Sequence, residues 1–259
     1  MGVLNVTPDS FFDGGRHSTL EAALARARAM LDEGAAIIDV GGESSRPGSE
    51  PVPVAEEMDR VLPVVEALRR DVDCVVSIDT TKSAVAEAAL ATGAHIINDI
   101  SAGRDDDAML ELARDTGAGL VLMHMQGQPR TMQDEPSYED VVADVRQFLV
   151  GRLREAETAG VSRQSIVIDP GIGFGKTFEH NWELLRQLDS LVDGGVPVLV
   201  GVSRKRFLGA LCDRPVEDRL AASLAAATAA ALAGAAIIRV HDVKETCDAL
   251  RVADKLRSR

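Results

Sequence analysis

The sequence repeats one pattern eight times, in which a short apolar run rich in Val and Ile precedes a longer stretch of helical periodicity. The eight apolar runs are GVLNV, AIIDV, CVVSI, HIIND, GLVLM, SIVID, PVLVG and AIIRV. Strands that alternate with helices in this way predict βα units around a parallel sheet. Eight such units within 259 residues match the size of one α/β domain.

The connections on the two sides of the predicted strands differ in length. Glycines end the predicted helices shortly before the next strand, which is a common way to stop a helix; they are Gly34, Gly93, Gly117, Gly160, Gly195 and Gly234. The segments that follow strands are much longer, as at residues 7–17, 41–52, 124–136, 169–177 and 202–216. This asymmetry predicts a closed (β/α)8 TIM barrel, as a single domain over residues 1–259, with functional loops at the carboxyl ends of the strands. A doubly wound open sheet is the alternative, but it would more naturally carry GxGxxG after the first strand, where this chain has TPDSFFDGG.

Composition and charge argue against several function classes. The net charge of −13 repels nucleic acid, so any anionic substrate must be met by a local cluster of Arg and Lys. No apolar tract is long enough to span a membrane, and no signal-peptide pattern precedes the first strand, so we expect a cytoplasmic protein. Cys74, Cys212 and Cys247 are widely spaced and form no CxxC pair, which argues against a disulfide framework or a zinc site.

The segment DPGIGFGKT, residues 169–177, has the general appearance of a phosphate-binding loop. The nucleotide-binding pattern GxxxxGK[ST] requires a glycine where this chain has Pro170. Proline has no N–H and a fixed φ, so it cannot begin a cradle of backbone donors around a phosphate. Asp169 and the glycines after it therefore need another role.

Polar side chains end every predicted strand, where a barrel has its catalytic mouth. The middle strands supply carboxylates and amides, which suit the N–H and N edges of a flat polar heterocycle. The last strands supply cations at a place where such barrels often bind phosphate, and Arg46 could approach from strand 2. Together they predict a heterocycle that carries a phosphate or diphosphate; the strand-end residues are Asn5, Asp39, Asp79, Asn98, Asp99, His124, Asp169, Ser203, Lys205, Arg239 and His241.

Some of these residues also have a purely structural interpretation. Asp39 and Asp99 could each cap the following turn, and His124 is favoured as a core residue. The basic SRKR segment could be a solvated face, although such runs seldom follow a buried strand directly. The alanine-rich segment RLAASLAAATAAALAG favours close packing against another helix, including one from a second subunit.

Read in order, the strand-end segments resemble the dihydropteroate synthase family of folate biosynthesis. The matching segments are GVLNVTPDSFFDGG, IIDVGGESSRPGS, VSIDT, IINDISA, LMHMQGQPRTMQ, DPGIGFGKT, GVSRKRFLG and RVHDV, and they cover essentially the whole chain. The resemblance implies a transferase that condenses (7,8-dihydropterin-6-yl)methyl diphosphate with 4-aminobenzoate. The products would be 7,8-dihydropteroate and diphosphate, with Mg²⁺ on the diphosphate, in a homodimer that is a target of sulfonamides.

The same resemblance implies roles for individual residues. The catalytic candidates are Arg46, Asp79, Asp169 and Lys205. For the pterin, the resemblance implies that Asp79, Asn98 and Asp169 bind its edge and that Met123 and Ile100 pack on its ring. Lys205 would lie between the two substrates, and the aminobenzoate pocket would be shaped by Pro47, Phe174 and Ser203. The diphosphate would be bound by Ser45, Arg46, Arg239 and His241, and Asn5 would contact Mg²⁺.

Two positions depart from the family pattern. Phe12 stands where the first loop usually has serine, and Ser45 stands where many members have threonine.

Two other functions would share the pterin pocket. A methyltransferase module that delivers a methyl group to a corrinoid would not need the SSRPG, SRK and RVHDV segments as a diphosphate clamp. A catalytically silent pterin-binding protein would not need the full set of functional residues, and none of that set is missing.

Overall fold

The structure is a computed structural model that describes residues 1–7, 16–192 and 194–257. All eight predicted strands are present in it. They are β1 (Gly2–Asn5), β2 (Ile37–Gly41), β3 (Val75–Asp79), β4 (Ile96–Asp99), β5 (Gly119–Met123), β6 (Ile166–Asp169), β7 (Leu199–Val200) and β8 (Ile237–Ile238). Strands β1 to β6 form one parallel sheet in sequence order, and β7 pairs in parallel with β8.

Two further sets of backbone contacts close these sheets into a barrel. Gly2 bridges Val240 just beyond β8, where the Val3 N–H donates to the Val240 oxygen at 2.9 Å. Ile168 in β6 bridges Val198, and its N–H donates to the Pro197 oxygen at 3.0 Å. The ring of parallel strands is therefore continuous, which confirms the TIM barrel and excludes the open sheet.

The helices follow the strands as the repeat predicts, with extra short helices in the later units. They are α1 (Arg16–Asp32), α2 (Val54–Asp71), α3 (Ser83–Thr92), α4 (Ala108–Thr116), α5 (Val141–Ala159), α6 (Phe178–Arg186), α7 (Asp189–Val192), α8 (Arg206–Cys212), α9 (Leu220–Leu232) and α10 (Val243–Arg257). Within the described residues, no helix has both the length and the apolar character needed to cross a bilayer.

One predicted loop is wrong in part, because residues 202–216 contain helix α8. Phe207 and Leu208 in this helix are each 2% exposed, so burial of their side chains stabilises a helix that its short length alone would not favour. The first long loop, predicted at 7–17, lies largely outside the described residues, together with Phe12. Helix α1 begins at Arg16, inside that predicted loop.

The predicted glycine stops are confirmed, since each of the six lies within three residues of a helix end. Gly117 follows α4 with a φ of 67°, and its N–H donates to the Ala113 oxygen at 3.0 Å. This left-handed conformation is easy for glycine and costly for residues with a Cβ. The turn therefore closes the helix tightly and returns the chain to the barrel over a few residues.

The alternation of side chains along the strands separates the core from the barrel interior. In β2, Ile38 and Val40 pack with helix residues in the main hydrophobic core, while Asp39 between them points the other way. The same holds in β3, where Val76 and Ile78 belong to that core. The polar residues at the alternate positions, such as Asp39 in β2 and Asp79 in β3, therefore point into the barrel, near the loops that follow the strands.

Candidate active site

Strand register brings several predicted site residues into one row at the mouth of the barrel. Asn5 pairs with Gly41, Gly41 with Asp79, and Asp79 with Asn98, across strands β1 to β4. A Cβ built at Gly41 would lie 3.7 Å from Asn5 Oδ1 and 3.7 Å from Asp79 Oδ2. The absent side chain therefore leaves room between the Asn5 amide and the Asp79 carboxylate.

Arg239, which directly follows β8 next to β1, joins this row. Its Nε donates to Asp39 Oδ2 at 2.6 Å, and its Nη2 donates to Asp79 Oδ2 at 2.6 Å. Asn98 Nδ2 donates to the same Asp39 oxygen at 3.1 Å. Burial alone would lower the pKa of Arg239, but the carboxylates of Asp39 and Asp79 outweigh that effect and raise it.

The structural interpretation of Asp39 as a helix cap is wrong, because this fully buried carboxylate binds Arg239 and Asn98 instead. Asp99 does act locally, since its two oxygens accept the N–H groups of Ser101 at 2.7 Å and Gly103 at 2.6 Å. The two aspartates that looked alike in the sequence thus differ in role.

Asp169, at the end of β6, is also buried, and the charges of Lys205 and Arg239 act on its carboxyl. Its Oδ1 accepts the Gly171 N–H at 2.7 Å, and the residue is 7% exposed. Burial raises the pKa of Asp169 to about 6, against the opposing effects of the Gly171 hydrogen bond and the Lys205 charge. Burial likewise raises the pKa of Asp79, with Arg239 opposing it. Because burial disfavours the ionised form of both carboxyls, N–H donors from a bound ligand would stabilise that form.

Lys205 connects this polar group to an aromatic surface. Its Nζ lies 4.2 Å from the centre of the Phe174 ring, a cation–π geometry, and its side chain also packs beside Gly173. Burial lowers the pKa of Lys205 to about 8, helped by the Arg239 charge and opposed by Asp169 and Asp79. The ammonium thus sits between the carboxylates on one side and an aromatic ring on the other.

Three buried methionines form the apolar wall of the site, a group we name the methionine cluster: Met123, Met125 and Met132. Ile100 and Phe174, both half-buried, pack against it. The structure therefore brings together Met123, Ile100 and Phe174. Met125 and Met132 were missed, although both lie in LMHMQGQPRTMQ; thioether side chains of this kind adapt well to flat rings.

Ser203 and His241 meet where the β7 and β8 loops adjoin. Ser203 Oγ accepts the His241 backbone N–H at 3.2 Å and lies 3.2 Å from His241 Nδ1. Burial lowers the pKa of His241 to about 4, with the Arg239 and Arg204 charges adding to the effect. The His241 imidazole is therefore neutral at pH 7, whereas its position beside Lys205 and Arg239 at the last strand ends predicted a cation.

Arg204, which precedes Lys205, fixes these two loops to each other. Its Nε and Nη2 donate to the two oxygens of Asp242 at 2.9 and 2.5 Å, and its φ of 58° is unusual for a residue other than glycine. The SRKR segment is thus only partly a solvated face, because Arg204 is ion-paired with Asp242 and Lys205 lies over the Phe174 ring.

The SSRPG loop contributes Ser45, Arg46 and Pro47, of which Ser45 is half-buried and the other two are exposed. The loop turns tightly, with Ser49 Oγ donating to the Arg46 oxygen at 2.8 Å, and the Gly48 N–H donates to the Pro129 oxygen at 3.3 Å. The Arg46 side chain is exposed, and the contacts described for this residue are made by its backbone.

Lys176 is the buried residue that sequence reasoning missed. It was considered only as part of a nucleotide-binding pattern, yet its side chain is 1% exposed and lies under the β6 loop. Its Nζ is 2.9 Å from His124 Nδ1, which confirms His124 as a buried, structural histidine. A lysine directly after a glycine-rich strand-end turn was the available signal, but nothing local in the sequence reveals its burial.

Comparison with known proteins gives one consistent family. Residues 1–241 match the family model described as pterin binding enzyme. The dihydropteroate synthase of Escherichia coli (strain K12) is 49% identical over 254 residues, covering 98% of this chain and 90% of the relative. A Xanthomonas albilineans dihydropteroate synthase structure with 4-aminobenzoic acid has a TM-score of 0.94 and 48% identity, covering 100% of this chain and 92% of that one.

A second structure of the Xanthomonas albilineans dihydropteroate synthase, in complex with 7,8-dihydropteroate, has a TM-score of 0.90 and 45% identity. It covers 100% of this chain and 93% of the other. A family match over most of the chain, together with these near full-length identities, shows that this chain belongs to the dihydropteroate synthases of the pterin binding enzyme family.

Proposed function

We propose that the mouth of this barrel is a dihydropteroate synthase site, in which Asp79, Asn98 and Asp169 bind the edge of the dihydropterin. The observation that carries the proposal is that these three groups converge beside Lys205 and Arg239 on one buried surface. Carboxylates and an amide there match the alternating donors and acceptors of a pterin edge. Met123 and Ile100, at the methionine cluster, would cover the faces of the ring.

The second substrate, 4-aminobenzoate, would bind next to Phe174. Phe174 is half-buried, with the Lys205 ammonium over its ring, so an arylamine packed against Phe174 would have that ammonium between itself and the pterin. Ser203 and Pro47 would border this pocket on the β7 and β2 sides. Lys205, with a pKa near 8, is largely protonated at pH 7 and therefore acts as a cation and hydrogen-bond donor.

The diphosphate would bind to Arg239, His241, Ser45 and Arg46. Within the described part of the chain, Arg239 Nη1 donates no hydrogen bond, so it is available to an oxyanion. In the tautomer that carries its proton on Nε2, the neutral His241 imidazole would donate a hydrogen bond to the diphosphate without adding charge. Arg46 would approach from the SSRPG loop and supply the second guanidinium.

Magnesium fits this arrangement only together with substrate. Among the residues that the structure describes, no three His, Cys, Asp or Glu side chains form a metal cage. Mg²⁺ commonly binds through one or two protein oxygens plus substrate phosphates and water, so Asn5 at the end of β1 is a sufficient protein ligand. When bound, the ion would neutralise charge on the diphosphate oxygens.

We further propose that the reaction is dissociative. The bond between the pterin methylene and the diphosphate oxygen breaks first, and its electron pair leaves with the diphosphate. The lone pair of the neutral arylamine then forms the new C–N bond, and the amine loses one proton to solvent. In their ionised forms, the carboxylates of Asp79 and Asp169 would favour the positive charge that develops on the pterin, while Arg239 and Arg46 would stabilise the leaving group.

A series of ring-substituted 4-aminobenzoates tests this path under single-turnover conditions. Because the amine attacks after the C–O bond has broken, the rate of the chemical step should depend only weakly on amine basicity. A steep increase in rate with basicity would mean that the amine drives bond cleavage, and the dissociative path would have to be abandoned.

The function itself is tested by turnover with both substrates, with and without Mg²⁺, following diphosphate release and 7,8-dihydropteroate formation. We expect both products in equal amounts and a strong dependence on Mg²⁺. Methyl transfer to a corrinoid without diphosphate release would instead support the methyltransferase alternative. Pterin binding without any turnover would support a silent binding protein.

We also propose a homodimer. The alanines of α9 that the sequence marked for close helix packing are used within the chain, since Ala226 and Ala230 are buried and α9 packs along α10. Apolar side chains remain exposed beside them, at 45% for Leu232, 60% for Val252 and 69% for Leu256. Light scattering should give twice the chain mass, and Leu256→Glu should shift it toward the monomer; a monomeric wild-type protein would reject the dimer.

A further inference from the structure

Lys176 is one of the largest fully buried side chains of the described protein. An ammonium group inside a protein is costly unless all of its protons are hydrogen-bonded. Burial lowers the pKa of Lys176 to about 7, with the Lys205 charge adding to this and Asp169 opposing it. A residue that carries such a cost next to the substrate pocket needs an explanation beyond packing.

The acceptors around Lys176 show what the ammonium does. Nζ lies 3.0 Å from the Gly171 oxygen and 2.9 Å from the Phe174 oxygen, so two carbonyls of the β6 loop converge on it. His124 contributes Nδ1 at 2.9 Å and its backbone oxygen at 3.4 Å from the end of β5. The ammonium therefore closes the loop on itself and fastens it to the neighbouring strand.

The loop that Lys176 closes carries a proposed contact to each substrate. The Gly171 N–H positions Asp169 Oδ1 at 2.7 Å, and the Phe174 N–H donates to the Gly171 oxygen at 3.0 Å. The Gly171 carbonyl thus bonds both Phe174 and Lys176. A shift of this carbonyl would move the Asp169 carboxylate and the Phe174 ring together.

The β5 loop also contacts this segment, but at other atoms. Tyr138 Oη donates to the Gly175 oxygen at 2.6 Å, and Gln133 Nε2 donates to the Gly173 oxygen at 2.8 Å. Both side chains are half-buried, and neither contacts Lys176 Nζ. Tyr138→Phe removes only the hydroxyl that donates to Gly175 and keeps the ring and the contacts of Lys176 Nζ, which makes this variant a suitable control.

We propose that Lys176 is a positioning residue for both substrates, because it holds the β6 loop so that Asp169 faces the pterin and Phe174 faces the aminobenzoate. The inference rests on the roles proposed above for Asp169 and Phe174. Lys176 contacts neither substrate itself, since its Nζ is enclosed by the loop and by His124.

The test uses Lys176→Gln, which keeps a donor, and Lys176→Met, which keeps only the shape of the chain. In folded Lys176→Met we expect weaker binding of the dihydropterin alcohol and a higher Michaelis constant for the arylamine substrate. Each constant should rise at least about tenfold, which corresponds to about 1.4 kcal/mol. Lys176→Gln should show a smaller rise. Inhibition by inorganic diphosphate should stay unchanged, because its proposed protein ligands lie in the segments that follow β2 and β8. Tyr138→Phe should change each constant by less than about threefold.

Several outcomes would overturn the inference. One is wild-type affinity for both ring substrates in a folded Lys176 variant. Another is an equal loss of diphosphate inhibition, which would mean a general structural role. If neither Lys176 variant folds, His124→Phe removes one acceptor and should weaken both ring substrates in the same direction; unchanged constants there would also reject the inference.

Hydrogen exchange separates this inference from the proposed function. In the free protein, amides of residues 171–175 should exchange faster in Lys176→Gln than in the wild type, while those of β1 to β5 should not change. Unchanged protection of residues 171–175 would reject the positioning role even if the enzyme is active. A wild-type protein without turnover would reject the proposed function and leave this exchange measurement decisive for Lys176.

Discussion

Replacing Asp169 with Asn should make the protein more stable at neutral pH and at the same time a weaker pterin binder. The Asp169 carboxyl is 7% exposed, and burial raises its pKa from 3.8 to about 6, although Gly171 and Lys205 oppose the shift. When the folded pKa of an acid is raised, the unfolded chain ionises first. The native state therefore loses stability as pH rises from about 4 to 6, and the loss is complete above 6.

The size of the effect follows from the shift. A change of about 2 units at about 1.4 kcal/mol each gives about 3 kcal/mol of destabilisation at pH 7.5. In Asp169→Asn the amide oxygen can still accept the Gly171 N–H, which lies 2.7 Å from Oδ1, but no charge is buried. At about 2–4 °C per kcal/mol for a chain of this size, Tm should rise by roughly 6–12 °C. Pterin affinity should fall by about 1–3 kcal/mol, because a charge-assisted hydrogen bond is lost.

Urea unfolding of both proteins from pH 4 to 8, with calorimetry of pterin binding at pH 7.5, measures both effects. The control is Asp140→Asn, at the exposed N-cap of α5, where Asp140 accepts two backbone N–H groups and Asn caps equally well. That variant should follow the wild-type pH profile. A stability difference between Asp169→Asn and wild type that stays flat from pH 4 to 7 would refute the burial argument. Unchanged pterin affinity would remove Asp169 from the site.

Three further experiments test other parts of the protein. Arg239→Ala should weaken binding of the diphosphate substrate far more than binding of the pterin alcohol, because its proposed partner is the leaving group; equal weakening in calorimetry would mean that Arg239 only stabilises the barrel. Gly171→Ala should cost about 3 kcal/mol or more in urea unfolding, because a Cβ there would meet a backbone oxygen of the β5 loop at 1.9 Å and φ is 65°. Its control, Gly195→Ala, also has a positive φ but open space around the Cβ, and should cost about 1 kcal/mol; equal costs would contradict the steric argument. A double-mutant cycle of Arg204→Ala and Asp242→Ala should give a coupling of about 1 kcal/mol, since the pair is bidentate but partly exposed, and additive effects on unfolding would show that the pair does not hold the two loops together.

The positions of the strands and the ends of the helices could be predicted from the sequence because both depend on local chemistry. Val and Ile in short runs favour extended backbone, and a glycine such as Gly117 stops a helix because of its own φ freedom. Eight repeats with long loops on one side then leave few topologies other than a barrel. The residues at the strand ends, including Asp79 and Asn98, followed from position alone, since parallel strands bring their carboxyl ends to one edge.

What the sequence could not determine was which of these groups bind one another and in which charge state. Arg239 was expected to bind phosphate, and only the closed barrel brings it within 2.6 Å of Asp39, which lies 200 residues earlier in the chain. Helix α8 inside a predicted loop and the neutral state of His241 also depend on contacts with distant segments.

Lys176 shows the limit most clearly, because the residues beside it in the sequence would equally suit an exposed lysine. Its burial depends on the β6 loop folding back over it and on His124, 52 residues away, supplying an acceptor. Secondary structure reflects interactions over a few residues, whereas desolvation and ion pairing depend on distances through space. The sequence by itself therefore determined the barrel and the set of polar groups at its mouth, and only the tertiary structure decided their partners, their burial and their protonation.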